Sequence, residues 1–455
     1  MPSTLKKVTN LPHAAVLAVA WPMILSNLSV PLLSIVDTAI LGHLDNAKHL
    51  GAVALGASII AIFFWSMGFL RMGTTSLVAQ AQGQSDQPAT ERLLLQGVLL
   101  AGALGLTLIA FQQPLLDLAF WWLAPPAELL AAAREYSAIR LLGAPAVLIS
   151  LTCIGWLIGQ QNARLPLLLM VATNLINLLL DVIFILALGW ESRGAALATL
   201  CADYLGLTLA VFLIFKRYPN LHRFSDWASV RQLSAYRALL NINRDLFIRT
   251  LLLLFTFAFF NAQGAQMGTE VLAANSIIFQ LLMLVSYGLD GFAQASEALV
   301  GRARGSQNRQ AFRSITLTTG IWSLLVALLM SSLFVLLQDP IVTLFTDLEA
   351  IEQPLRLYLP WVFFLPLLSM TAFWLDGVYI GAGASKVMRN AMLFSALVVF
   401  LPCWWLFQPW QNHGLWLAFS AFNLSRGLSL LALLPHLQRH YFPQAADERL
   451  GRKAQ

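Results

Sequence analysis

Long apolar runs separated by short polar segments constrain this chain more than any motif in it. Crossing a hydrocarbon layer of about 30 Å takes roughly 20 apolar residues in a helix. Runs of at least that length fall near 14–42, 51–80, 92–124, 131–159, 164–190 and 194–215. They recur near 244–267, 270–301, 311–346, 352–382, 388–408 and 413–435. Only 11% of the 455 residues are charged and 58% are apolar, too little polar surface to coat a soluble core of this size. A soluble enzyme, a secreted module and a disordered chain are thereby excluded. The pattern predicts an all-α integral membrane protein of twelve transmembrane helices. The polar segment 216–243 divides them into an N-terminal lobe, 1–215, and a C-terminal lobe, 244–435. The segment itself reads as a cytoplasmic linker, and 436–455 as a cytoplasmic tail.

The net charge of +6 needs no nucleic-acid partner. With both termini inside, alternate segments hold 20 of the 28 Lys and Arg on the inner side, including Lys6, Lys7, Arg164, Lys216, Arg217, Arg309, Lys386 and Arg389. Three, Lys48, Arg134 and Arg193, fall outside, and five lie within or at the edges of runs. That asymmetry orients the termini toward the cytoplasm. The apolar stretch after Lys7 is too long for a signal-peptide core and reads as a retained first span. Cys153, Cys201 and Cys403 each sit in an apolar run with no CxxC pairing, as buried thiols do.

The two halves repeat. Gly42 and Gly264, Gly83 and Gly305, and Gly159 and Gly381 are each 222 residues apart, as are Arg134-Glu-Tyr136 and Arg356-Leu-Tyr358. Pro145 and Pro366 are 221 apart, and Gly194-x-x-Leu-Ala198 and Gly414-x-x-Leu-Ala418 are 220 apart. One such pair is noise; an ordered series at a near-constant offset is a duplication. An even number of spans per half gives both halves one orientation. That predicts two six-helix lobes with pseudo-two-fold symmetry about an axis along the membrane normal, a transporter-type architecture.

Several chemistries are absent. There is no GxxxxGK[ST] phosphate loop, no HExxH, no GxSxG elbow and no acidic pair of the prenyl-transferase kind. His436 and His440 have ligand-like spacing but fit a solvated helix end. Neither an enzyme nor a cofactor is implied, and uphill transport would have to use an ion gradient.

A carboxylate in mid-membrane costs at least about 2.5–3.5 kcal/mol, which makes each one a functional candidate. Span 1 carries Asp37 on one helix face with Ser34 and Thr38. Span 5 carries Asn174, Asn177 and Asp181, whose spacings of three and four put them on one side of a helix. Span 6 adds Thr199 and Asp203. Two carboxylates and an amide on a shared cavity can hold a proton, because desolvation and like charge raise a carboxyl pKa. They can also supply oxygen ligands to a small hard cation. The structural alternative is plain interhelical hydrogen bonding. The repeat maps Asp37 near Phe259 and the Asn177–Asp181 region onto Leu397-Val-Val-Phe-Leu-Pro402, so the lobes share a frame and differ in chemistry. The second lobe has its own acids, Asp290, Glu297 and Asp376, which form either a second ion or substrate site or structural bridges to Arg71, Arg140, Arg249 or Arg426. Pro22 and Pro31 each remove an N–H from span 1, so the helix that carries Asp37 is either a moving part or statically kinked. Aromatic and Met side chains such as Phe63, Trp65, Met67, Phe279, Met283 and Tyr287 face lipid or core singly; together they could line a cavity for flat, apolar cations.

These segments resemble the multidrug and toxic compound extrusion (MATE) family, and within it the DNA-damage-inducible protein F branch. The resemblance is carried by Trp21-Pro22-Met23-Ile24, Val36-Asp37-Thr38-Ala39-Ile40-Leu41-Gly42-His43-Leu44-Asp45, Asn177-Leu-Leu-Leu-Asp181 and Gly194-Ala-Ala-Leu-Ala-Thr199. It continues in Leu289-Asp290-Gly291-Phe292-Ala293 with Glu297, and in Asp376-Gly377, Ile380-Gly381-Ala382 and Met388-Arg389-Asn390. It spans nearly the whole chain, and implies a MATE-type antiporter of the bacterial inner membrane. Such a protein exports diverse, often cationic drugs and organic cations against inward protons or sodium ions, and is expected to act as a monomer in the lipid bilayer.

The family pattern makes Asp37 the coupling carboxylate, with Asn177, Asp181, Thr199 and Tyr136 in one first-lobe network; Asn174 and Asp203, read from the spans themselves, and Gln161 are added as supporting candidates. It makes Pro22 a hinge, protonation of Asp37 bending span 1 and shrinking the first-lobe cavity. A polar amide common on span 4 in the family is missing near Cys153 and Ile154, and Gln161 lies about two turns further on, which tilts the reading toward protons. Another branch uses the second lobe, where Asp290, Asp376 and Glu297 are the candidates. A lipid or lipid-linked oligosaccharide flippase of related architecture is the rival reading, though no single span clusters the basic residues a phosphate headgroup needs. A channel or non-transporting receptor fits the duplicated lobes and buried acids less well.

Overall fold

The computed structural model describes residues 12–42, 47–123, 125–219, 221, 230 and 232–442, with the side chains of all of these except 30, 32–42, 47–49, 233 and 235. Lys6, Lys7, Arg223, Arg231 and the tail beyond 442 lie outside the described residues, as does the side chain of Asp37. Among the described residues every regular element is helical. The first half supplies α1 (His13–Gly42), α2 (Ala47–Ser66), α3 (Phe69–Gly83), α4 (Gln87–Ala110), α5 (Gln112–Leu123), α6 (Ala127–Leu141), α7 (Ala144–Gly159), α8 (Arg164–Asp181) and α9 (Glu191–Arg217). The second half supplies α10 (Arg237–Gln266), α11 (Thr269–Gly305), α12 (Arg309–Leu336), α13 (Gln338–Phe345), α14 (Glu349–Tyr358), α15 (Pro360–Gly381), α16 (Ser385–Leu393), α17 (Leu401–Phe407) and α18 (Gln411–Tyr441).

Nine stretches among the described residues are long and apolar enough to cross a membrane, and ten if the α6–α7 pair, bent by 49°, counts as one. Adding α1, and dividing the run Ser385–Tyr441 at Gln411, where φ is +49°, gives the twelve-helix pattern. The helices before Gln411 pack back against α18, so the division is a hairpin.

Three expected spans are broken where the sequence pattern ran on. The 92–124 run stops at Ala110, the 131–159 run at Leu141 and the 311–346 run at Leu336. Each of these residues lies four before a proline: Pro114, Pro145 and Pro340. A proline has no N–H to give the carbonyl four residues back, and its ring clashes there. The helix ends at that carbonyl, and α5, α7 and α13 restart at a new angle or as a separate short element.

The duplication is written into the backbone. Asp86 caps α4 by accepting the Ala89 N–H at 3.0 Å; Asn308, 222 residues on, caps α12 by accepting the Ala311 N–H at 2.9 Å. The residues just before the caps, Ser85 and Gln307, both take left-handed φ, 60° and 52°. Glu191 and Gln411, 220 apart, share a φ of +49°. Asp117 pairs with Arg134, and at the same offset Asp339 pairs with Arg356 at 2.5 Å. Asp339 and then Glu352 hold the exposed Arg356 guanidinium above its usual range.

The chain packs as two compact units. One holds Leu25–Val78 and Asp86–Asn243. The other holds Ala79–Ser85 and everything from Arg244, with the stretch ending at Ile24, so the division cuts α1 two residues after Pro22. Within this second unit α3 meets α11 through two glycines. A Cβ on Gly83 would collide with the Arg302 carbonyl, and one on Gly305 with the Gln80 carbonyl. Gln80 and Arg302 are themselves 222 apart, so the contact reads the same from either helix. In lipid, where the hydrophobic effect does not drive helices together, small residues allow the close backbone approach that dispersion needs. The same unit has an aromatic core. The Phe260 ring lies 4.6 Å from Trp416 and 4.8 Å from Phe279, both at steep angles.

Candidate functional site

In the first unit the polar face of α8 is assembled as its spacing predicts. Asn177 and Asp181 are both 1% exposed, in the last turns of α8 before a π-helical segment, Val182–Ala187. Such wide turns often occur at functional sites. Asn177 donates through Nδ2 to the Thr199 hydroxyl at 3.3 Å, and that hydroxyl donates to the Ala195 carbonyl at 3.0 Å. The Asn177 amide oxygen is buried with no hydrogen-bond partner among the described residues. A turn earlier, Asn174 donates to the Ser29 hydroxyl at 3.1 Å and to its carbonyl at 3.3 Å, tying α8 to α1. Tyr136 packs with Ile185, four residues after Asp181, and with Ala195 and Ala196, four and three residues before Thr199.

Asp203 stands one turn beyond Thr199 on α9 and accepts from Arg140 at 2.7 Å, both side chains largely buried. Asp203 and Asn174 line a cavity of about 210 Å³ with Ser150, Ile154, Met170 and Thr173. The structure therefore brings together Asn174, Asn177, Thr199, Tyr136 and Asp203 with Asp181. It does not bring Gln161 to them. Gln161 occupies the turn before α8, with φ +60°, and the 17 helical rises from Arg164 to Asp181 span about 26 Å. Arg140 is the partner that spacing could not supply, because it comes from a different helix; the available signal was an arginine inside an otherwise apolar run.

In the second unit the acids differ in their partners. Asp376 on α15 is 7% exposed, and one of its oxygens, Oδ2, accepts from both Arg249 on α10 and Arg426 on α18, the latter at 2.8 Å. Arg426 also donates to Asn423 at 3.4 Å and lies 5.4 Å from the Phe422 ring. Ion pairs at Asp376 thus join three helices. Asp290 is half-buried and Glu297 is 2% exposed, both on α11. The sequence reading missed a reciprocal amide pair. Asn275 and Asn412 exchange hydrogen bonds of 2.8 and 2.9 Å, and the Trp416 indole donates to Asn275 at 2.9 Å.

The family model for MatE matches this chain twice, over residues 22–183 and 246–405, in register with the internal repeat. The chain belongs to the MATE family. DNA damage-inducible protein F of Escherichia coli (strain K12) is 39% identical over 91% of this chain and 90% of its own length. A probable multidrug resistance protein NorM of Thermotoga maritima is 26% identical over 76% of each. Among solved structures, a MATE protein in the bent conformation superposes with a TM-score of 0.83 at 22% identity, covering 94% of this chain and 96% of that one. The fold is that of a MATE transporter, and the chain is a multi-pass membrane transporter of small organic compounds rather than an enzyme.

Proposed function

We propose that this MATE protein is a secondary active antiporter that exports diverse, often cationic amphipathic compounds in exchange for protons. It sits in the inner membrane with both termini cytoplasmic, and the coupling site lies in the first lobe. The observation that carries the reading is the buried Asn177–Thr199 hydrogen bond next to the buried Asp181, on the helix face that Asn174 ties to α1. Spans 1 and 5 run the same way in the expected topology. At about 1.5 Å rise per residue, Asp37 lies about 12 Å past Ser29, and Asp181 about 10 Å past Asn174. The two carboxylates then share one level. Like charges in a desolvated site favour a shared proton, and a cationic substrate competes with it, each lowering the affinity of the other.

Protonation of Asp37 would remove one of two like charges at this level and so change how α1 meets the polar face of α8. Pro22, where an N–H is missing from α1, is the hinge in this reading. MATE proteins of this fold have been solved in a bent and in a straight conformation. Asp376 is a poor carrier by comparison, since two guanidiniums already engage it.

The test is efflux of a fluorescent cationic dye from liposomes holding the purified protein, under a proton or a sodium gradient. Wild type should respond to the proton gradient, Asp37→Asn should lose the response, and Pro22→Ala should slow it with the fold intact. Sodium-driven efflux retained in Asp37→Asn would refute the first-lobe site.

A further inference from the structure

At one end of the second unit, the first turn of α12 and the last turns of α18 enclose a groove of about 400 Å³. Arg309, Arg313 and Arg439 surround it, Leu431, Leu434 and Pro435 form its apolar wall, and no carboxylate lines it. Among the described residues none of the three guanidiniums has an ion-pair partner. Both helices are long and apolar enough to span the membrane, so the groove lies where hydrocarbon gives way to headgroups. Exposed leucines lead away from it along each helix: Leu317, Leu324 and Leu328 on α12, and Leu431, Leu428 and Leu424 on α18.

The frame does not demand this charge. At the repeat-equivalent positions the first half carries Gln87 and Glu91 in place of Arg309 and Arg313, and these bond to each other at 3.1 Å. Three planar guanidiniums make paired, charge-assisted bonds to phosphate oxygens, and basic pockets between spanning helices suit anionic lipid headgroups.

We propose that this groove binds the phosphate headgroup of an anionic phospholipid, with its acyl chains lying along the two leucine strips. The inference is independent of the antiport reading, and its test has no transport readout. The full-length protein, purified in non-ionic detergent, is titrated with phosphatidylglycerol, with phosphatidylcholine of the same chains, or with inorganic phosphate. Retained lipid is then counted by native mass spectrometry.

Phosphatidylglycerol should be retained at least about tenfold better than phosphatidylcholine. Replacing all three arginines by Gln should weaken its retention on the order of a hundredfold, from roughly 1 kcal/mol per basic residue. Should that variant not fold, R309Q with R313E installs the residues the first half already carries there, and should lose most of the preference. Equal retention of the two lipids, or retention unchanged by the substitutions, overturns the proposal. Displacement by millimolar phosphate would mean a free-anion site and also overturns it. The chain's own acids are the remaining occupant: if D447N with E448Q raises phosphatidylglycerol retention severalfold, the tail fills the groove and the lipid does not.

Discussion

Arg140 and Asp203 meet at 2.7 Å inside the first unit, with both side chains largely buried. Removing one partner of such a pair leaves an uncompensated buried charge, at a cost of about 3–5 kcal/mol, whereas replacing both by apolar groups of similar volume is often neutral. Asp203→Asn should therefore lower the thermal midpoint in detergent markedly, and Arg140→Met with Asp203→Leu should recover most of it. Failure of the double variant to recover would show that Asp203 does more than neutralise Arg140. Helical spacing made Asn174, Asn177 and Asp181 legible as one face, because residues on one helix carry their geometry in their numbering. The choice of partner for Asp203 or Asp376 was not legible, since it depends on which helices touch. Gln161 failed for a related reason: closeness along the chain to a polar face says nothing once a helix of about 26 Å intervenes.

Helices and their breaks obey simpler rules. The apolar runs were visible as spans, and the ends at Ala110, Leu141 and Leu336 were encoded too, four residues before Pro114, Pro145 and Pro340. Hydropathy alone overlooked them because a short apolar helix after a break looks like more of the same span. The approach of α3 to α11 was hinted at by the 222-residue spacing of Gly83 and Gly305, but the spacing did not disclose that the two touch. A side chain there must push backbone aside, since the atom met is the Gln80 carbonyl oxygen. Gly305→Ala should cost about 1–3 kcal/mol, in the range of overpacked cores, and Gly305→Leu should fail to accumulate in the membrane. Gly102→Ala is the control: its new Cβ would meet Ile149 only at 3.8 Å, and thermal unfolding in detergent should scarcely change.

For the molecule as a whole, the duplication keeps the frame and lets the chemistry diverge. Caps, left-handed turns and exposed ion pairs recur at 222 residues. Yet the position matching Asp37 is Phe259, whose ring packs 5.5 Å from Phe400, in the region that matches Asn177–Asp181, and 6.5 Å from Trp404 just beyond it. One half holds carboxylate and amide where the other holds rings, so exchanging the halves would not exchange their roles. Cutting the chain within 222–229 and co-expressing the pieces should yield halves that copurify from the membrane, with thermal stability close to that of the intact chain. Gly305→Leu in the second piece should abolish copurification. The glycine contact has an older implication. An interface that reads identically from both sides is what a two-fold homodimer has, and each half carries its own copy of that face. A half-length ancestor, inserted always the same way round, would have met its twin glycine to glycine before any linker existed. Fusion would release such twins from sameness, leaving each half free to carry its own chemistry.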